Sequence, residues 1–294
     1  MTVIDAHQHV WDPIRAPYDW LGPAMAPIDR AMGFADARPA LRAAGVTATV
    51  LVQAADNDAD TDHMLATAAT HPEVVAVVAW VPLDAPGRAR TRLAALRRDP
   101  HVVGVRALVH EDPDPDRILR PDVGQGLALL AEAGMTFDYV TSSPAALAHV
   151  PELAARHPEL RLVIDHLGKP PVGGGAAERA AWRRLIAAAA RHPGVHAKVS
   201  GLYSSSGPLG AWTAEQVRPF VEDALELFGP RRLMYGGDWP VSLLAGGYER
   251  TWEACRKLLA PLDPDDRAAV LGGTAARFYR INAGLLDAAR DSAV

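Results

Sequence analysis

The chain has 294 residues, of which 49% are hydrophobic and 22% charged, and its formal net charge is -5. That is a globular composition, long enough for one large α/β domain and without the basic excess of a nucleic-acid surface. The longest apolar run, Val74 to Leu83, is far too short to span a bilayer, so no membrane partner is expected.

Short β-branched runs alternate with Ala/Leu/Arg-rich stretches. The first strand is expected over Val3–His9 and is followed by a long loop, Trp11 to Met32, that carries Trp11, Tyr18 and Trp20. Further strands are expected over Ala48–Gln53, Val74–Val81, Val102–Val109, Met135–Thr141, Leu160–His166, Val195–Gly201 and Leu233–Asp238. Helical segments lie between or after them: Arg38–Ala44, Thr61–Thr70, Arg88–Arg98, Gly124–Ala133, Pro144–Arg156, Ala176–Arg191, Thr213–Phe228 and Tyr248–Leu259. Turn signals such as His71-Pro72, Ala133-Gly134 and His192-Pro193-Gly194 close several helices just before the next strand. Continuous apolar strands alternating with helices indicate a parallel sheet, and eight units without a linker indicate a (β/α)₈ TIM barrel as a single domain over 1–294. A doubly wound sheet is the weaker alternative, because no Gly-x-Gly-x-x-Gly follows the first strand. The single cysteine, Cys255, lies in an apolar-patterned helix and reads as a small buried hydrophobe. It allows no internal disulfide, which fits a cytoplasmic location. No signal peptide is read, because Asp5 and His7 interrupt the start.

Barrel enzymes place their chemistry at the C-terminal ends of the strands. Those ends carry His7 and His9, then Gln53, Trp80, Arg106 with His110, Asp138 with Tyr139, Asp165 with His166, Lys198 with Ser200, and Asp238 with Trp239. Side chains two apart in a strand share a face, so His7 and His9 converge. Two imidazoles with a carboxylate arriving from the eighth strand suit a metal ion, a polarised carbonyl or an activated water. A buried Arg106 needs an anion, supplied either by an internal carboxylate or by substrate, and Lys198 has the same two readings. Asp165, on the opposite face from His166, reads as a capping or orienting group. His101 and His196 sit at strand starts and read as stability residues. Trp20 either plugs the first loop against the barrel rim or touches ligand.

Four motifs carry a resemblance to a known family: His7-Gln8-His9, Asp165-His166-Leu167-Gly168-Lys169-Pro170, Lys198-Val199-Ser200-Gly201-Leu202 and Gly237-Asp238-Trp239-Pro240-Val241. In this order, and with Ile4-Asp5-Ala6 and Ala275-Ala276-Arg277-Phe278-Tyr279 at the two ends, they resemble the amidohydrolase superfamily over nearly the whole chain. The closest likeness is to the amidohydrolase-2 branch that contains fuconolactonases and rhamnonolactonases. The resemblance implies a distorted TIM-barrel hydrolase of carbohydrate catabolism that opens a sugar lactone to a hydroxy acid. It implies Asp238 as general base, with His7, His9 and His166 polarising the carbonyl directly or through one metal ion. Superfamily members with two metals have a bridging Lys on the fourth strand and a His on the fifth. Here Arg106 and Asp138-Tyr139 stand in those places, so at most one ion is expected, held by His7, His9, His166 and Asp238, with zinc first among candidates. A metal-independent site is the other reading. Trp11, Gln53, Tyr139, Lys198, Trp239 and Arg106 are the expected substrate-binding residues, with Tyr203 a further hydrogen-bonding candidate. An anionic lactone (a 2-pyrone-4,6-dicarboxylate or sulfomuconolactone type) and a metal-dependent decarboxylation of the same superfamily are the alternative reactions. The expected partner is a small-molecule lactone, and a homo-oligomer is left open.

Overall fold

The computed structural model describes residues 2–112, 114–141, 143–203, 205 and 208–292. Eight parallel strands follow one another around a single sheet in chain order: β1 (Ile4–Gln8), β2 (Ala48–Val52), β3 (Val74–Ala79), β4 (Val102–Ala107), β5 (Thr136–Tyr139), β6 (Arg161–Ile164), β7 (Val195–Val199) and β8 (Leu233–Tyr235). Just beyond β1 and β8, the His9 amide donates to the Trp239 carbonyl at 2.7 Å and the Asp238 amide to the His7 carbonyl at 2.8 Å. These two bonds bring the last strand back to the first. The fold is therefore the expected (β/α)₈ barrel.

The helices are α1 (Phe34–Ala43), α2 (Asp58–Ala68), α3 (Pro86–Leu96), α4 (Pro121–Glu132), α5 (Pro144–Ala148), α6 (Val150–Arg156), α7 (Ala176–Ala190), α8 (Ala214–Phe228) and α9 (Tyr248–Leu259). Then come α10 (Pro264–Ala268), α11 (Thr274–Tyr279) and α12 (Ala283–Ser292). Local chemistry sets several of their starts. Asn57 and Thr213 cap α2 and α8 by accepting from the amides of Asp60 and Gln216. The expected helix over Pro144–Arg156 divides at His149, because Pro151 has no amide proton to continue the ladder.

The strands are shorter than their apolar runs suggest. The polar residues at their ends turn away into the rim, as Asp165 does immediately after β6. Along β2, Ala48, Val50 and Val52 join Ile4, Ala6, Val163 and Met234 in one buried cluster, while Leu51 belongs to the cluster under the helices. That division is the period of two that a barrel wall requires. Ala275, Phe278, Tyr279 and Ala289, from α11 and α12, join the interior cluster. The C-terminal helices thus close one end of the barrel, which leaves the other end for the site.

Candidate active site

The ends of β1 and β8 are tied by one buried carboxylate. Asp5 accepts from the amides of His7 (3.1 Å) and Gly237 (2.8 Å), the Gln8 side-chain amide (2.7 Å) and the Tyr248 hydroxyl (2.8 Å). A Cβ on Gly237 would stand 2.1 Å from the Tyr248 ring and 2.5 Å from Asp5, so only glycine lets the two strands meet here. Burial still pushes the Asp5 pKa up to about 6, against those four donors.

This junction sets Asp238 against the histidines. Asp238 Oδ1 lies 3.5 Å from His9 Nε2 and 3.7 Å from His7 Nε2. The His7 ring meets those of His9 and His166 at centroid distances of 4.9 and 4.5 Å. His166 Nδ1 bonds the Ser200 hydroxyl at 2.9 Å, and its ring rests on the backbone of Gly201, where a Cβ would come within 2.4 Å of it. Burial favours the neutral form of Asp238, but the imidazoles of His166, His9 and His7 outweigh it and hold the carboxyl below the usual carboxylate range. Burial lowers His166 to about 4 and, with the Lys198 charge, takes His7 well below the usual imidazole range. At neutral pH Asp238 is an ionised carboxylate beside the neutral rings of His7 and His166.

Beneath it lies an ionic layer. Lys198 Nζ is 2.6 Å from Asp138 Oδ2, 3.0 Å from Asp165 Oδ1 and 3.0 Å from His7 Nδ1. Tyr279 donates to the same Asp138 oxygen at 2.6 Å. Arg106 pairs with Asp165 at 3.1 Å, approaches His7 Nε2 at 3.4 Å and donates to the Gln53 carbonyl. Desolvation opposes charge on Asp165, yet Lys198, His7 and Arg106 keep it well below its ordinary pKa. Asp165 is thus an ionised carboxylate shared by Lys198, His7 and Arg106.

A cleft of about 550 Å³ opens over this centre. His9, His166, Asp238, Arg106 and Trp11 line it, together with Trp20, Met25, His110, Lys169, Tyr203 and Ser205. Four expected substrate contacts do not line it. Lys198 is fully buried in the ionic layer. Tyr139 is buried with its hydroxyl on the Ala146 carbonyl at 3.0 Å. Gln53 spends its amide on Asp56 and the Arg106 carbonyl. Trp239 is buried and contributes its carbonyl to the barrel closure. Each sits at the right height in the barrel, but the side chains of Lys198, Tyr139 and Gln53 are taken up by neighbouring strands, loops and helices, and that of Trp239 is buried. Trp20 plugs the first loop against the rim, its indole donating to the Ala54 carbonyl at 2.7 Å and packing edge-on to Trp11, and it also lines the cleft. Lys169, Met25 and Ser205 were not among the expected site residues; their place depends on how loops fold over the mouth.

The amidohydrolase family model matches residues 4–281. The chain belongs to the amidohydrolase family. It is 37% identical to an L-fucono-1,5-lactonase of Burkholderia ambifaria, over 95% of this chain and 96% of the relative. It is 32% identical to an L-fucono-1,5-lactonase of Burkholderia multivorans, over 95% of this chain and 96% of that one. A crystal structure of an amidohydrolase from Burkholderia multivorans with bound zinc superposes with a TM-score of 0.88 at 31% identity, covering 96% of this chain and all of that one.

The donor set of this amidohydrolase fits a single ion. Among the described residues two triads bring their ligand atoms within 4.8 Å, His7–His9–Asp238 and His7–Asp165–His166. They share His7, and Asp165 in the second is already bound to Lys198 and Arg106. In the first, His9 Nδ1 lies 2.7 Å from the Val52 carbonyl oxygen, which can only accept, so Nδ1 carries the proton. With that proton on Nδ1, the position left for a lone pair or a second proton, Nε2, faces the Asp238 carboxylate across 3.5 Å. Two acceptors facing each other at that distance call for a cation between them, either a metal ion or a proton.

Proposed function

We propose that this protein hydrolyses a sugar lactone, of the L-fucono- or L-rhamnonolactone kind, to its hydroxy acid. The observation that carries the reading is the likeness, along nearly the full length of both chains, to a lactonase. The centre supports it chemically. Asp238, ionised and at the floor of the cleft, takes a proton from water and delivers one to the ring oxygen that leaves. His166, neutral and on the cleft wall, donates to the oxygen of the attacked carbonyl, with His7 packed behind it. Tyr203 stands at the same wall with its phenol kept protonated by burial and by the Asp238 charge. Trp11 and Trp20 offer ring faces to the carbon side of a sugar.

His7, His9 and Asp238 would hold one divalent ion, zinc by preference, with His166 beside it. When bound, it supplies Lewis-acid polarisation of the carbonyl. His7 has a self-consistent tautomer for either state. With Nδ1 accepting from Lys198, Nε2–H points toward Asp238; with Nδ1–H donating to Asp165, Nε2 is free to ligate. The reading places the enzyme in the cytoplasm with a small lactone as its partner. A pH-indicator screen of aldonolactones and anionic lactones, with and without chelator and with metal analysis, tests it. Turnover of aldonolactones with no more than one equivalent of metal is expected. No lactone hydrolysis, or two tightly held equivalents, overturns the respective half.

A further inference from the structure

The loop after β6 contains a residue that this chemistry leaves unused. His166, Leu167, Gly168 and Lys169 have φ values of 54°, 51°, 69° and 51°. Four successive left-handed residues make one turn of left-handed helix, closed by the Lys169 amide donating to the His166 carbonyl at 2.9 Å. Residues with a Cβ cost about 1–2 kcal/mol each in this conformation, and three of the four have one. The surroundings hold the turn in place. The Trp182 indole donates to the Leu167 carbonyl at 2.8 Å, and Gly168 packs so closely on Leu147 that a Cβ would come within 2.8 Å. Backbone strain of this kind persists where the packing over-determines it, and it gathers at sites that bind or react.

The turn has a consequence for side-chain direction. In a tight turn, residues three apart lie on the same side. His166 and Lys169 therefore face together, and both line the cleft. Lys169 is exposed, whereas residues 165–168 and Pro170 are buried. Among the described residues its ammonium has no ion-pair or hydrogen-bond partner. The other cations near the centre are committed, Arg106 to Asp165 and the Gln53 carbonyl, and Lys198 to Asp138 and Asp165. The acid on the cleft wall, Asp238, faces His9 and His7. Among the described residues, one positive charge beside the reacting centre is left without a counter-ion.

Lactone opening creates the matching charge. Water oxygen bonds to the acyl carbon and the acyl–ring-oxygen bond breaks. One proton goes to the freed hydroxyl and one to solvent, so a neutral lactone becomes a carboxylate. We propose that Lys169 binds the product carboxylate, its ammonium receiving the group that forms over His166 as the ring opens. This rests on the lactonase reading.

The test is calorimetric binding of sodium L-fuconate to wild type, Lys169→Met, Lys169→Gly and Lys169→Arg, at low and high NaCl, beside L-fuconolactone hydrolysis by wild type. Glycine removes the side chain and relieves the left-handed strain, so it guards against misfolding in the methionine variant. Met and Gly variants are expected to bind fuconate about three- to tenfold more weakly than wild type at low salt and to lose most of its salt dependence, with Arg retaining both. Binding within twofold of wild type, with unchanged salt dependence, in both Met and Gly variants overturns the assignment, as does a wild type that hydrolyses the lactone but does not bind fuconate. Salt-sensitive, Lys169-dependent binding in a wild type that hydrolyses no lactone overturns the lactonase reading and leaves the anion subsite standing.

Discussion

Lys198 Nζ stands 3.0 Å from His7 Nδ1, inside the barrel and without exposure to solvent. An ammonium can only donate, so in the tautomer that this contact favours Nδ1 accepts and the Nε2–H of neutral His7 points toward Asp238, whereas Nδ1–H donating to Asp165 leaves Nε2 as an acceptor. The same ammonium neutralises Asp138 and Asp165. Lys198 thus couples the stability of the barrel interior to the orientation of a histidine at the reacting centre.

Lys198→Met keeps most of the length of the side chain and removes its charge. Two buried carboxylates then lose their shared cation, and breaking a buried pair from one side costs about 3–5 kcal/mol. Urea denaturation at pH 7 measures it. A loss below about 1 kcal/mol would show that the carboxylates find other partners, Tyr279 and Arg106 being the candidates within reach.

Asp238 has φ 53°, a conformation that asparagine tolerates better than most residues. Asp238→Asn therefore keeps the backbone, including the amide bond to the His7 carbonyl, and removes the base. Lactone turnover is expected to fall by about two or more orders of magnitude with an unchanged circular dichroism spectrum. A variant with near-full turnover would take Asp238 out of the chemistry.

Much of this was legible in the residues. Eight apolar runs with turn signals between them specify a parallel barrel, and His7, His9, His166 and Asp238 stand out because a strand end fixes the height of a side chain above the barrel floor. Height does not fix the partner. Arg106 and Lys198 read equally as internal or substrate-facing, and only the register of β4 with β5, which sets Arg106 beside Asp138, and the convergence on Asp165 show that Lys198 is internal and that Arg106 pairs inside while still lining the cleft. Tyr139 and Gln53 went the same way, into bonds with α5 and with β4. Lys169 was hidden for another reason: nothing in Leu167-Gly168-Lys169 announces three left-handed residues with side chains in one turn.

His196 lies at the start of β7, away from the cleft, with its ring 4.6 Å from that of Phe278. Burial lowers its pKa from 6.5 to about 4, and Arg232, Arg277 and Arg161 add to the effect. The unfolded chain therefore binds a proton that the folded chain rejects between those values. The stability contributed is fully present above pH 6.5 and is lost as pH falls toward 4, by up to about 3 kcal/mol. His196→Gln is expected to flatten that part of the stability–pH curve. Parallel wild-type and variant curves between pH 6.5 and 4 would show that the ring does not titrate there.

Neutral sugar lactones are expected to be preferred over dicarboxylates and sulfonates. A carboxylate drawn into a buried site needs paired donors, or binding loses several kcal/mol in order of magnitude. Arg106, the guanidinium on the cleft, is already held by Asp165 and the Gln53 carbonyl. The two arginines of the first loop do not line the cleft: Arg15 pairs with Asp12 and Arg30 donates to the Ala31 carbonyl. That loop supplies Trp11, Trp20 and Met25 instead, surfaces that suit the carbon face of a sugar while leaving its hydroxyls to Tyr203, Ser205 and His110. Lys169 offers one positive charge, which ring opening itself will occupy. A substrate that arrives with two further carboxylates leaves them unmatched. Side-by-side kcat/KM values decide the point. Five- and six-carbon aldonolactones are expected to lead, and a pyrone dicarboxylate turned over faster than all of them would overturn the preference while leaving the hydrolytic centre as described.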